Sequence, residues 1–433
     1  MSVQPLVRLE DGTVRQVGPL TGTYVWTIPG RANRPISHPA ATSHPLVGDE
    51  AERLCSFCPQ RYLETTPEKS RLIGSGPDAR IERGRLPSRL AHGVATARRF
   101  ANLFEIVSTR SWRVNHGFVP SPTVLDWAEE YLADPLGIDH LTAILGFRHR
   151  MGGPPAPAAD DRAALLAAAV DLLAGSHDVI VPRRHVVDRA TTSDQLAASG
   201  TMTPTEHADV ISYTVDTLAD LYRTQPTAAY VAVFQNWLPP AGASLEHLHK
   251  QLVAIDSYGP QVRHEAALLS EDPQLYQHAV LDLAVQEHLV VAANDHAVAV
   301  AGVGHRYPSL EIYSTSPRQL PWEQPAAERD SMADLLHALH AATGPAVPTN
   351  EEWHYRPPGL DRPMPWRIVL KWRISVPAGF EGGTKIYVNT IDPWTLRDRM
   401  LAALHTLRRD RRIAPLRIGD EVLASEVRLP RLS

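Results

Sequence analysis

The period of the apolar positions changes several times along this chain, and each change marks an element. Tyr230-Val231-Ala232-Val233-Phe234-Gln235-Asn236 is apolar and β-branched and reads as a buried strand. The Pro239-Pro240-Ala241-Gly242-Ala243 run after it is turn chemistry, and Ser244 to Gln251 then predicts a second strand. Upstream, Val210, Ile211, Thr214, Val215, Leu218 and Leu221 recur at three and four, which predicts an amphipathic helix over Thr205 to Tyr222, packed on that sheet. Phe100 to Val107 and Val179 to Val181 read as strands flanking an insertion at about 111–175. Thr123 to Tyr131 and Asp160 to Leu173 have helical composition within it, separated by Gly152-Gly153-Pro154-Pro155-Ala156-Pro157.

After Asp256 the pattern begins again. Strands are expected at Leu289 to Ala293 and Ala297 to Ala301, a helix around Glu328 to Ala342, further strands at Trp366 and Ile386, and a last helix from Trp394 to Arg409. This succession looks like a diverged second copy of the first. The expectation is an α+β protein of two halves, each an antiparallel sheet packed with helices, divided into residues 1–256 and 257–433. A chain of 433 residues with 43% hydrophobic content can supply two or three cores, and 37 prolines suit the connections of such a loop-rich fold.

Charge narrows the class. A net charge of −5 gives no reason to expect nucleic-acid or membrane affinity. The basic stretch from Arg80 through Arg85 to Arg98-Arg99 reads as solvated loops. No signal peptide and no apolar run of roughly 20 residues is evident, so a cytoplasmic enzyme is expected.

Chemistry concentrates in Ser244-Leu245-Glu246-His247-Leu248-His249-Lys250-Gln251. On a strand, His247, His249 and Gln251 share one face. A neutral imidazole can attack an α-phosphorus and form a phosphoramidate, while amide and hydroxyl donors stabilise the phosphoryl oxygens. His249 is then the nucleophile, with Gln251 and Ser244 as donors; a satisfied surface pair or a simple metal clip is the plainer alternative. The two cysteines fall in Cys55-Ser56-Phe57-Cys58, whose spacing lets both thiolates meet one ion. A redox dithiol competes, but the motif does not open a helix after a strand. Zinc needs two more ligands, for which His247 and His185 are candidates.

Together these motifs resemble the galactose-1-phosphate uridylyltransferase family of the histidine-triad superfamily. The resemblance begins at Pro19 to Val25 and Pro29-Gly30-Arg31-Ala32-Asn33-Arg34-Pro35. It continues through Cys55-x-x-Cys58, Thr66-Pro67-Glu68, Phe100-Ala101-Asn102-Leu103-Phe104 and His185, and ends in Phe234-Gln235-Asn236 and Gly242-Ala243-Ser244 before His247-x-His249-x-Gln251. It implies two histidine-triad-like halves, structural zinc on Cys55, Cys58, His185 and His247, and covalent nucleotidylation of His249. It also implies that Gln251 contacts the transferred phosphoryl group, and that Ser244, Asn236, Arg31, Arg34 and Asn102 contact nucleotide or phosphates. The chain departs from the family at Glu246 and Leu248, where prolines are usual, and at Lys250, which replaces a small residue.

Farther on, Ala378-Gly379-Phe380-Glu381 and Gly383 to Asn389 resemble the nucleotide-sugar phosphorylase branch, where Glu381 matches a carboxylate on sugar hydroxyls. Metal-binding relatives have histidines near 365 and 367, where this chain has Pro365 and Arg367, so a second metal is not expected. Alternation puts Arg367, Lys371 and Arg373 on one face, expected either to be solvated or to meet an anion. The activity so implied is nucleotidyl transfer between a nucleoside diphosphate sugar and a sugar 1-phosphate, with ping-pong kinetics and an active site completed in a homodimer. A phosphorylase or hydrolase using the same histidine, and a non-catalytic nucleotide-binding zinc scaffold, are the alternatives.

Overall fold

The computed structural model describes residues 4–30 and 43–431. Three short strands open the chain, β1 (Leu6–Arg8), β2 (Val14–Val17) and β3 (Tyr24–Thr27). Next come β4 (Glu68–Ile73), β5 (Arg80–Arg83) and β6 (Ala97–Ala101). Four helices, α1 (Thr109–His116), α2 (Pro122–Ala133), α3 (Gly137–Arg150) and α4 (Arg162–Leu173), separate β6 from β7 (His177–Pro182). Helix α5 (Pro204–Thr224) leads into β8 (Tyr230–Trp237) and β9 (Lys250–Ile255). The remainder holds α6 (Pro260–Glu271), α7 (Asp282–Gln286), β10 (Val290–Ala293), β11 (Ala297–Ala301) and β12 (Ser309–Ser314). It continues with α8 (Ala326–Thr343), β13 (Thr349–His354), β14 (Arg367–Trp372), α9 (Gly379–Thr384), β15 (Ile386–Asn389), α10 (Pro393–Arg409) and β16 (Arg417–Ile418).

Twelve strands form one antiparallel sheet in the order β16-β10-β11-β12-β14-β13-β8-β9-β7-β6-β4-β5. The order is mirrored about the β13/β8 seam. Six strands lie on each side, and the helix before each central hairpin, α5 or α8, occupies the same place in the succession. This is the α+β fold of two repeated halves. A second sheet, β1-β2-β3-β15, pairs β15 parallel to β3 and so ties Ile386–Asn389 to Tyr24–Thr27.

Register fixes what each face of the large sheet carries. Gln251 lies opposite Val179 and Phe234, Phe234 opposite Glu352, and Glu352 opposite Val369. Side chains directly opposite share a face, so Gln251, Phe234 and Glu352 belong together. Their neighbours Lys250, Gln235 and Glu351 point to the other face, which α5 and α8 cover. There Leu218, Leu221, Leu335, Leu336 and Leu339 pack with Val231, Val233, Ile312, Ile368 and Leu370 in one buried core. Helix α5 starts sharply because Pro204 follows a reciprocal cap, in which the Thr203 hydroxyl accepts from Glu206 N and Thr203 N donates to Glu206.

Several expectations are corrected. The strand at Phe100 ends at Ala101, because Asn102 Oδ1 accepts from Phe104 N at 2.9 Å and turns the chain. His247 and His249 precede β9 rather than lying in it. Arg98 and Arg99 are not solvated: both are buried in β6, Arg98 beside Glu68 and Arg99 between Asp178 and Asp220. Arg367 is 1% exposed and bonds Glu265 of α6 at 2.5 Å, so it neither meets solvent nor is free for a ligand. Among the described residues no helix is long and apolar enough to cross a membrane.

Candidate active site and metal centre

Cys55, Cys58, His185 and His247 converge, their ligand atoms all within 4.8 Å of one another. The Sγ atoms stand 3.9 Å apart, so they form no disulfide. Cys55 Sγ is 3.5 Å and Cys58 Sγ 3.7 Å from His247 Nδ1, and Cys58 Sγ is 3.4 Å from His185 Nδ1. A tetrahedral zinc with bonds of about 2.3 Å to sulfur and about 2.0–2.1 Å to nitrogen would put sulfurs about 3.8 Å apart and sulfur about 3.5 Å from nitrogen. The donor set and its edges therefore fit one tetrahedral metal ion. His247 Nε2–H donates to the Pro182 carbonyl at 2.8 Å, which leaves Nδ1 as the lone-pair nitrogen facing the thiols.

The same loop shapes the surroundings of His249. Phe57, between the two cysteines, meets the His249 ring edge-on at 5.5 Å, and the Phe100 ring at 5.4 Å. His249 Nδ1–H donates to the His247 carbonyl at 2.8 Å. Burial pushes the imidazole's pKa below its ordinary value, so the ring is neutral near pH 7 with its lone pair on Nε2.

Beside it runs a row of amides. His177, on β7, accepts from Ile106 N at Nδ1 (3.1 Å). Its proton therefore resides on Nε2, which donates to Gln251 Oε1 at 3.0 Å. That bond fixes the amide's orientation and leaves the Gln251 NH2 for another acceptor. Asn102 is set in the same way: its Oδ1 is taken by Phe104 N, and its Nδ2 lies 3.3 Å from His177 Nε2, a nitrogen already acting as donor. Two half-buried amides thus keep their N–H groups for an incoming oxygen.

Other candidates are placed apart. Ser244 is exposed in the loop before His247. Asn236, on β8, accepts from Asn350 Nδ2 at 2.7 Å and lines a cavity of about 510 Å³ with Phe234, Glu352 and Arg373. Glu381 lies near the second half of the sheet, its Oε2 accepting from Ala378 N at 2.8 Å. Arg31 and Arg34 fall outside the described residues. Sequence reasoning missed His177 and Phe57. Phe57 carried a signal, as the one apolar residue between the cysteines, whereas the role of His177 depends on β7 pairing with β9.

A family model described as "Domain of unknown function (DUF4921)" matches residues 9–430. No curated protein matches the chain in sequence. Among solved structures, an ADP-glucose phosphorylase from Arabidopsis thaliana with bound ADP-glucose is similar at 18% identity and a TM-score of 0.58, covering 90% of this chain and 97% of that one. A GalT-like protein from the same plant is similar at 17% identity and a TM-score of 0.56, covering 89% and 97%. These likenesses show a shared fold over nearly the whole chain.

Proposed function

The chain belongs to the DUF4921 family, and from its site we propose a nucleotidyltransferase that works through a covalent nucleotidyl-histidine at His249. The observation that carries this reading is the geometry of the His249 ring, whose Nδ1 lies 2.8 Å from the His247 carbonyl so that Nε2 is the nucleophilic nitrogen, two residues before the oriented amide of Gln251. The fold shared with an ADP-glucose phosphorylase supports it.

In this reading a nucleoside diphosphate sugar sets its α-phosphorus against His249. The Nε2 lone pair forms the N–P bond, the bond to the bridging oxygen breaks, and a sugar 1-phosphate leaves with that electron pair. The Nδ1 proton stays on the ring, where the His247 carbonyl stabilises the positive charge of the phosphorylated imidazole. Gln251 and Asn102 donate to the non-bridging oxygens, and the Ser244 hydroxyl, exposed in the loop before His247, is the further donor in this proposal. An acceptor oxygen then attacks the same phosphorus and restores the imidazole. A sugar 1-phosphate as acceptor makes the enzyme a transferase of the uridylyltransferase type; inorganic phosphate makes it a phosphorylase and water a hydrolase.

Asn236, Arg31, Arg34 and Glu381 complete the substrate contacts in this proposal, across a homodimer. Cys55, Cys58, His185 and His247 would hold one zinc ion, which when bound is structural, because four protein ligands leave no open position. A non-catalytic nucleotide-binding scaffold would need neither a free Nε2 on His249 nor the oriented Gln251.

Intact-protein mass spectrometry after mixing with UDP-glucose, UDP-galactose or ADP-glucose tests the reading. A mass gain of one UMP or AMP on the wild type and none on His249→Ala is expected, and the gain names the base. The same adduct on His249→Ala, or none with any donor, overturns it.

A further inference from the structure

On the helix-covered face of the large sheet, where the two halves meet, three histidines are buried together: His207 on α5, and His337 and His340 on α8. The His207 ring centre lies 5.5 Å from that of His337 and 6.2 Å from that of His340. His207 Nδ1–H donates to the Ala333 carbonyl at 3.1 Å, and His337 Nε2–H to the Met202 carbonyl at 2.8 Å, so two hydrogen bonds cross from one half to the other. The backbones also touch here. A Cβ added at Gly200, in the turn Ser199–Thr201, would come 2.4 Å from Ala341 N on α8.

The contact suits neutral rings. Among the described residues His337 Nδ1 is buried without a partner, so a second proton on that ring would find no acceptor. The charged groups facing the rings are Glu206 on α5, Lys250 on β9, Glu351 on β13 and Arg412 past the end of α10. Glu351 is already engaged by Lys250, His340 and Trp353, and Glu206 by Arg184 and the Thr203 backbone. A proton on His207 or His337 would thus be a buried charge with neither carboxylate left for it. Burial first, and then the neighbouring rings, hold both imidazoles below their ordinary pKa. Two routes lead from this contact to His249. Met202 packs on the cluster of Ala198, Trp237 and Leu248, and Leu248 stands between His247 and His249. Lys250, the residue after His249, meets Glu351 and through it His340.

We propose that the three histidines form an acid-sensitive latch between the halves, closed at neutral pH and opened by protonation of His207 and His337, which loosens the segment carrying His249. That this segment is catalytic rests on the reading of His249 above; the latch does not. The sign follows from linkage. An imidazole kept neutral in the closed contact and free to take a proton when it opens favours opening below about pH 6.5, by roughly tenfold per histidine at pH 5.5.

Amide hydrogen exchange of the full chain at pH 7.5 and 5.5, corrected for intrinsic rates, tests it, with the separate core of α2 and α4 as internal reference. Peptides from the Ser199–Thr201 turn, the start of α5 and the end of α8 should lose at least about tenfold more protection than the reference at the lower pH. His207→Asn with His337→Gln keeps an N–H donor for each carbonyl and cannot take the proton, so it should abolish that extra loss. Should the double variant fail to fold at pH 7.5, His337→Gln alone should reduce the loss by about tenfold. In single turnover, adduct formation at His249 should slow on acidification more in the wild type than in the variant. An acid loss no greater than that of the reference, or one unchanged in the variants, overturns the proposal. Acid opening in a wild type that forms no adduct with any donor would uphold the latch and overturn the nucleotidyl-histidine reading alone.

Discussion

Lys250 and Glu351 form an ion pair in the buried layer between the sheet and its helices, joining the strand after His249 to a strand of the other half. Glu351 also accepts from His340 Nε2 at 2.9 Å and Trp353 Nε1 at 2.6 Å. Burial works to raise its pKa, but the Lys250 ammonium and His340 more than reverse it, so the carboxylate is held well below its ordinary range. Removing one partner leaves the other charge buried and uncompensated. Lys250→Met should therefore cost about 3–5 kcal/mol in urea unfolding, and Lys250→Met with Glu351→Leu should cost less than the single change. A double variant less stable than the single one would show that the pair does not behave as a coupled buried charge.

How far such relationships were legible in the sequence follows from their range. The Cys-x-x-Cys spacing and the two candidate histidines could be read locally, and the structure brings the four together although His185 lies 127 residues beyond Cys58. Alternation grouped Arg367 with Lys371 on one face, as the register shows, yet could not reveal that Glu265, 102 residues away, closes over Arg367. Helix α3 went unread because Leu136, at its start, offers no side-chain cap and Gly137 opens the helix. The mirrored strand order is a matter of topology, which a faint repeat in pattern suggests but does not order.

Metal content tests the cysteine and histidine cluster. Protein produced with zinc available should carry about one zinc per chain by atomic absorption, since the donor edges match a closed tetrahedral site. Cys55→Ser should lower both zinc content and melting temperature. Because Phe57, in the same loop, packs against His249, it should also slow adduct formation. An unchanged melting temperature after loss of the metal would leave the ion without a structural role.

His177 offers a sharper test of how Gln251 is positioned. His177→Phe removes the Nε2–H that fixes Oε1, so the Gln251 amide can turn its acceptor toward the phosphoryl oxygens. Nucleotidyl-adduct formation in single turnover should slow by about 10- to 100-fold, the effect of losing one aimed donor. Gln251→Ala should be similar, and the double variant little worse than either, because both remove the same donor. Additive losses would mean that His177 acts by another route.

Glu105 predicts a dependence of stability on pH. Its Oε1 is buried without a partner, and burial pushes its pKa up to about 7 from the ordinary 4.5, against the opposing pull of Lys69. The folded state therefore keeps this proton at pH values where the unfolded chain has released it. Its stabilising effect is complete below about pH 4.5 and is lost as pH rises toward 7, by on the order of 3 kcal/mol at full ionisation. Glu105→Gln preserves the shape and cannot ionise, so the stability of the variant relative to the wild type should climb between pH 4.5 and 7. Measuring unfolding free energies of both proteins at the same pH values cancels the other titrating groups. A difference that stayed flat would mean that Glu105 ionises in the fold as freely as in the unfolded chain.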